Sequence, residues 1–177
     1  MKIEKVSVGY LKTNCYVLGN SDEVLVIDPG DEGEKIIELI NGRRVVGIII
    51  THHHFDHIGA LEFVKEKTGA QVYDMVSLRE GKNKIGSFEF SCLLTKGHKE
   101  DEISLYFEKD NVLFCGDFIF KESIGRWDLP GGSIEDMKKS IEFILSFPLD
   151  MQIYPGHGEP TTLRAEKDNL ENYIKYF

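Results

Sequence analysis

The feature that most constrains this chain is a six-residue apolar run, Val45 to Ile50, which empties without a turn into Thr51-His52-His53-His54-Phe55-Asp56-His57. Six residues are too few for a helix, and a continuous apolar run of this length predicts a strand buried on both faces. Cover is therefore needed on either side of it, and its end must lie where polar groups can meet. Side chains alternate along an extended segment, so His52 and His54 project to one side and His53 to the other. Asp56 and His57 follow where the chain turns into the next helix, adding a carboxylate and a third imidazole at the same point. A strand ending in four such groups has no packing rationale. Imidazole and carboxylate together suit zinc, iron or manganese, and the thiolate typical of a purely structural zinc site is not nearby in the sequence. His53 is expected to face away from any ion.

The remaining residues of this chemistry each follow a predicted strand. His98 lies in Thr95-Lys96-Gly97-His98, Asp117 follows Gly116, and His157 lies in Tyr154-Pro155-Gly156-His157-Gly158. Taken singly each is an ordinary loop residue, but loops gathered at one sheet edge would bring them to the first cluster. A catalytic zinc usually takes three protein ligands and a water, so seven candidates are too many for one ion. Two ions sharing a bridging carboxylate and a bridging hydroxide would use them all.

Other strand signals are Lys2 to Val8, Asn14 to Leu18, Glu23 to Ile27, Gln71 to Tyr73, Phe88 to Leu94, Ile103 to Phe107, Val112 to Cys115 and Met151 to Tyr154. Turns are expected at Gly19-Asn20-Ser21-Asp22 and at Lys109-Asp110-Asn111. A helix carrying Ile36, Ile37 and Ile40 on one face should end near Asn41-Gly42, and another should hold Leu61 and Val64. Ser133 with Asp136 three residues on has capping-box spacing before Met137, Ile141 and Ile144, and a last helix covers Leu163 to Tyr176. Strands with interspersed helices predict an α/β fold of two sheets packed face to face with helices on the outer sides.

No repeat, linker or shift in composition divides the chain, so one domain spanning residues 1–177 is expected. At 41% hydrophobic and 29% charged residues the chain is globular rather than disordered. The formal net charge of -9 disfavours a nucleic-acid backbone or an anionic membrane surface as partner. No apolar run approaches the ~20 residues needed to span a bilayer. Met1 to Tyr10 alternates like a strand and lacks the apolar core of a signal peptide, which predicts a cytoplasmic protein. Cys15, Cys92 and Cys115 are widely spaced and odd in number, so they read as buried reduced thiols.

These motifs resemble those of the metallo-β-lactamase superfamily. Its HxHxDH signature is matched by His52-His53-His54-Phe55-Asp56-His57, followed by Ile58-Gly59, and Asp28-Pro29-Gly30, Gly97-His98, Gly116-Asp117 and Pro155-Gly156-His157-Gly158 follow its later motifs in order. The resemblance implies a four-layer αβ/βα sandwich of two mixed β-sheets with the site at one edge. It also implies a partition of ligands, with His52, His54 and His98 on one metal, Asp56, His57 and His157 on the other, and Asp117 bridging. Thr13-Asn14-Cys15-Tyr16 and Gly125-Arg126-Trp127-Asp128-Leu129-Pro130-Gly131-Gly132 are similar to segments of short glyoxalase II-like hydrolases, which implies activity on hydroxyacylglutathione-type thioesters. Arg126 falls near where that group places a basic residue against the tripeptide. The chain departs from the pattern at Asp128, where a tyrosine is expected, and at Lys96 and Lys99 to Glu102, where proline and small uncharged residues are usual. It also ends before the C-terminal helical domain of the long enzymes.

The mechanism this implies is attack on an acyl carbon by a metal-bridged hydroxide, since a divalent ion lowers the pKa of bound water to about 7. Asp117 would bridge, and Asp56 could accept the proton of the bridging water. Asp28 is placed to accept an N–H from a ligand imidazole. A thiolate leaves readily because thiol pKa values lie near 8.5, so the thioester needs no strong general acid. The alternatives on this scaffold are a mononuclear iron persulfide dioxygenase using His52, His98 and Asp117, and a lactonase or other ester hydrolase. Tyr10, Phe55, Phe120 and Trp127 could line the pocket.

Overall fold

The computed structural model describes residues 1–19 and 22–176. The expected turn at Gly19-Asn20-Ser21-Asp22 thus has Asn20 and Ser21 outside the described residues. The first half of the chain builds one sheet from Lys2–Val8 (β1), Thr13–Gly19 (β2), Glu23–Ile27 (β3), Arg44–Ile49 (β4) and Val72–Tyr73 (β5), in the order β1-β2-β3-β4-β5. β1, β2 and β3 pair antiparallel, whereas β3, β4 and β5 run parallel. The parallel crossovers are made by Gly33–Ile40 (α1) and, after the single turn Phe55–Ile58 (α2), by Leu61–Thr68 (α3).

The second half builds the facing sheet from Gly81–Ile85 (β6), Phe88–Leu94 (β7), Ile103–Phe107 (β8), Val112–Phe114 (β9), Gln152–Tyr154 (β12) and Thr161–Thr162 (β13), ordered β13-β12-β9-β8-β7-β6. A small hairpin of Ile119–Phe120 (β10) and Ser123–Ile124 (β11) stands beside it, and Ile134–Ile144 (α4) and Leu163–Tyr176 (α5) complete the chain. Ser133 caps α4 as its spacing predicts, its Oγ accepting the Asp136 N–H at 3.2 Å.

Alternation along each strand decides the layers. Leu25, Ile27 and Ile49 face inward and meet Phe90, Ile103, Leu105 and Phe114 of the second sheet, forming the central core. Val24, Val26, Ile48 and Ile50 point outward and are covered by Ile36, Ile40 and Val64. On the far side Leu113 and Ile153 are covered by Met137, Ile141, Ile144 and Leu170. The result is helices, sheet, sheet, helices, with β4 buried on both faces as its unbroken apolar run requires. Among the described residues no helix is long and apolar enough to cross a membrane.

Three elements carry too weak a sequence signal to be anticipated. β6 reads Gly-Lys-Asn-Lys-Ile and has exposed Lys82 and Lys84, a charged edge strand of the kind that blocks further pairing. The β10–β11 hairpin and β13 are built from two-residue strands. The hairpin turns at Glu122, whose φ of 64° is left-handed.

Candidate metal centre

The loops that leave β3, β4, β7, β9 and β12 all emerge at one edge of the sandwich. Main-chain bonds, two between the sheets and one within the second sheet, lock them there. Ile103 N–H donates to the Thr51 carbonyl at 3.0 Å, Gly156 N–H to the Gly116 carbonyl at 2.7 Å, and Asn14 N–H to the Gly156 carbonyl at 2.7 Å. All seven anticipated residues meet at this edge. His52, His54 and His98 form one group that could hold an ion, and Asp56, His57 and His157 form another. Within each group the ligand atoms lie within 4.8 Å of one another.

In the first group His54 Nδ1 lies 3.0 Å from His52 Nε2 and 2.9 Å from His98 Nε2. Nitrogens around a tetrahedral zinc with 2.0–2.1 Å bonds stand about 3.3 Å apart, so only a slight spreading would admit an ion. In the second group Asp56 Oδ2 lies 3.6 Å from His57 Nε2 and 3.3 Å from His157 Nε2. Asp117 faces both groups: its Oδ2 is 3.7 Å from His98 Nε2 and 3.4 Å from His157 Nε2, and its Oδ1 is 3.4 Å from His57 Nε2.

The backs of the imidazoles decide what their fronts can do. His98 Nδ1 lies 2.6 Å from the Arg126 carbonyl and His157 Nδ1 lies 3.1 Å from the Leu11 carbonyl. A carbonyl only accepts, so each of these nitrogens carries a proton, and in the neutral ring Nε2 turns a lone pair inward. His57 Nδ1 is held in the same way by Asp28 Oδ2 at 2.9 Å. Thr51 Oγ1 donates to that same oxygen at 2.7 Å and lies 3.1 Å from His52 Nδ1, which leaves its lone pair to accept from the ring. Asp28 therefore stands behind the His57 imidazole and, through Thr51, behind that of His52, and it does so in a left-handed conformation with φ of 51°. Two inward atoms, His57 Nε2 and Asp117 Oδ1, are buried without a hydrogen-bond partner. Converging lone pairs, carboxylates and orphaned buried atoms fit a divalent cation and have no other evident use.

The electrostatics differ between the two groups. Burial, followed by the neighbouring His57, pushes His52 down to about 2, and burial also lowers His54. Burial acts the same way on His157, but hydrogen bonds to Asp117 and Asp56 outweigh it and lift that imidazole to about 9. Burial would raise the Asp117 carboxyl, yet His157 and His57 hold it well below the usual carboxylate range. Protons thus compete with a cation for His157 up to about pH 9, but hardly for His52. On acidification from pH 8 towards pH 5 the second group is expected to release its ion before the first. Metal content measured after dialysis at stepped pH checks this; simultaneous loss would show that the two groups do not differ.

Other anticipated residues lie outside this cluster. His53 faces away, its Nδ1 2.6 Å from Asp101 Oδ2. The Arg126 guanidinium is exposed and forks onto Asp128, with Nε and Nη2 each 2.9 Å from a carboxylate oxygen. Trp127 packs against the outer core, while the Phe120 ring stands 6.1 Å from that of His157. A groove of about 510 Å³ opens beside Asp56, walled by Val8, Tyr10, Leu11 and Phe55, of which Tyr10 is 95% and Phe55 75% exposed.

Several contributors escaped the sequence reading. Thr13 Oγ1 donates at 2.7 Å to Asp56 Oδ2, the same oxygen that faces His57 and His157, and so fixes that carboxylate. The Leu11 and Arg126 contributions are main-chain carbonyls, which no residue letter announces. Glu102, read only as part of a charged turn, is fully buried and accepts the Asp117 N–H at 2.8 Å. A signal was available there, because Glu102 immediately precedes the apolar strand β8.

Comparison with known proteins gives a consistent result. The model of the metallo-beta-lactamase superfamily matches residues 8–80 and 77–157. The chain is 33% identical to the probable metallo-hydrolase YqgX of Bacillus subtilis (strain 168), over 95% of each chain. It is 29% identical to the hydroxyacylglutathione hydrolase GloC of Haemophilus influenzae, over 94% of this chain and 95% of that one. Among solved structures it is similar to the BLEG-1 B3 metallo-beta-lactamase, with 32% identity, a TM-score of 0.90 and coverage of 94% of this chain and 97% of that one. It is also similar to TTHA1623 in a di-iron-bound form, with 31% identity, a TM-score of 0.85 and coverage of 93% and 96%. With the site geometry, these matches carry the conclusion that the chain belongs to the metallo-beta-lactamase superfamily.

Proposed function

We propose that residues 1–177 act as one domain, a binuclear metal-dependent hydrolase that cleaves thioesters of the hydroxyacylglutathione type. The observation that carries this reading is the Asp117 carboxylate, whose Oδ2 lies between His98 of one group and His157 of the other while Oδ1 meets His57, in a centre with three further donors on either hand. In the proposed assignment His52, His54 and His98 hold one divalent ion, Asp56, His57 and His157 hold the second, and Asp117 touches both. Zinc is the expected metal, with iron or manganese as substitutes that the same nitrogen and oxygen donors accept. When bound, the two ions supply a water acidified to a pKa of about 7 and positive charge for a developing oxyanion.

The chain's own residues orient that chemistry. Asp28, Leu11 and Arg126 fix the ring tautomers from behind, and His157, His57 and Thr13 outweigh burial to hold the Asp56 carboxyl well below the usual carboxylate range, so that it stays ionised as a donor. A thiol of ordinary pKa departs as thiolate, so the lack of a positioned general acid is no obstacle. The groove walled by Tyr10, Leu11 and Phe55 can take an apolar part of the substrate next to Asp56. GloC, a hydroxyacylglutathione hydrolase matched over 95% of its length, supports the thioester.

A second reading, a lactone or other ester, is favoured by one observation. Asp128 already matches the Arg126 charge, which leaves a tripeptide carboxylate without that partner. A single-iron dioxygenase is less well supported, because it gives Asp56, His57 and His157 no task. The net charge of -9 disfavours nucleic acid as substrate, and three buried thiols fit a cytoplasmic location. The test is thiol release from S-lactoylglutathione by protein reloaded with zinc. Saturable turnover is expected; a folded protein holding two ions that turns over lactones but not this thioester would transfer the assignment to the second reading.

A further inference from the structure

Glu102 has no exposed surface, and it is not one of the seven clustered groups. It stands immediately before β8, where the next N–H bonds the Thr51 carbonyl across the gap between the sheets at 3.0 Å. Its side chain is thereby carried to the back of the centre. Oε1 accepts the Asp117 N–H at 2.8 Å and lies 3.8 Å from His52 Nδ1, while Oε2 has no hydrogen-bond partner. The fit is close because Gly116 runs past with φ of 52°: a Cβ there would come to 3.0 Å from Glu102 Oε1 and 2.6 Å from Thr51 Oγ1.

A buried carboxyl with an unpaired oxygen costs stability, and an apolar residue of the same volume would serve the packing better. What such a residue could not do is hold the Asp117 main chain. Asp117 is also the residue whose carboxylate lies between the two groups, Oδ2 near both His98 and His157 and Oδ1 near His57. We propose that Glu102 is a positioning residue: its carboxyl fixes the Asp117 main chain and so keeps the Asp117 carboxylate between the two ligand groups. The inference rests on the two-ion reading of the centre. It adds that the second ion depends on a side chain that touches neither ion.

The test is a titration of metal-stripped protein with zinc against a chromophoric chelator, for the wild type, Glu102→Gln and Glu102→Leu. Glutamine keeps an acceptor for the Asp117 N–H, whereas leucine keeps the volume without one. Wild type and Glu102→Gln are expected to take two ions with similar affinities, and Glu102→Leu to bind the weaker ion about ten- to hundredfold less tightly. Cobalt substitution gives a second readout, since the visible spectrum should change in Glu102→Leu and not in Glu102→Gln. Wild-type affinities in Glu102→Leu would overturn the proposal, and so would equal losses in both variants. A lower melting temperature of the stripped Glu102→Leu protein with unchanged ion affinities would make the role structural and overturn it as well. If Glu102→Leu does not fold, Glu102→Asp, which withdraws the carboxyl by one methylene, is judged by the same criterion. A wild type that takes fewer than two ions removes the two-ion reading itself, and this inference with it.

Discussion

Asp117→Ala is expected to lower kcat/KM by at least about a thousandfold, or ~4 kcal/mol of transition-state stabilisation, and to reduce bound metal from two ions to one or none. Removing a partner that merely orients a metal ligand typically costs ten- to a hundredfold. In the proposed two-ion centre Asp117 does more than orient, since its oxygens lie 3.4 to 3.7 Å from His57, His98 and His157. Without them the second group keeps Asp56 as its only carboxylate beside two imidazoles, and the first group has no acid at all. Each half is then short of the negative charge that makes a divalent ion bind. Activity and metal content must be measured on the same preparation, because loss of turnover with both ions retained would mean that Asp117 orients substrate instead. Asp128→Ala is a suitable control: it removes an exposed carboxylate paired with Arg126, and kcat should change little. A variant at Asp117 that keeps both ions and more than about a tenth of the activity would place the bridge elsewhere.

The parts of this centre that could be read from the sequence are those in which one residue type at one spacing admits a single physical reading. Val45 to Ile50 is too short for a helix and reads as a doubly covered strand, and alternation carried past it turns His52 and His54 inward and His53 outward to Asp101. His98, Asp117 and His157 could be listed as loop residues, but the sheet order that brings their loops together is a long-range fact that no local pattern carries. The main-chain acceptors behind His98 and His157 were invisible for a different reason, since every residue owns a carbonyl. β6 was missed because an edge strand earns its place by pairing, and its lysines look like loop. Glu102 was misread because an acid in a charged turn is normally solvated, and only the crossing of β8 under Thr51 buries it.

Gly156→Ala should come close to Asp117→Ala in effect, although it removes no donor. A Cβ at position 156 would collide with Asp117 Oδ1 and stand 2.7 Å from His57 Cε1 and 3.2 Å from the Gly116 carbonyl carbon. The main chain has no easy retreat, because the Gly156 N–H is bonded to Gly116 and its carbonyl to Asn14, both at 2.7 Å. His57 is tied to Asp28, so the Asp117 side chain is the group that must swing away. The expected result is a folded protein with a melting temperature lower by a few to about ten degrees, the range for overpacking one methyl. Activity should fall by more than about a hundredfold, since a misplacement of about 1 Å at a reacting centre costs that much. Gly158→Ala separates this from a general disturbance of the loop. Gly158 has φ of 75°, so alanine there strains the backbone, but its Cβ would meet nothing within 4 Å. If both variants lose stability and only Gly156→Ala loses the second ion, the glycine serves the close approach of loop and carboxylate. If Gly156→Ala keeps two ions and full turnover, the bonds to Gly116 and Asn14 yield, and the centre is less tightly framed than its hydrogen bonds imply.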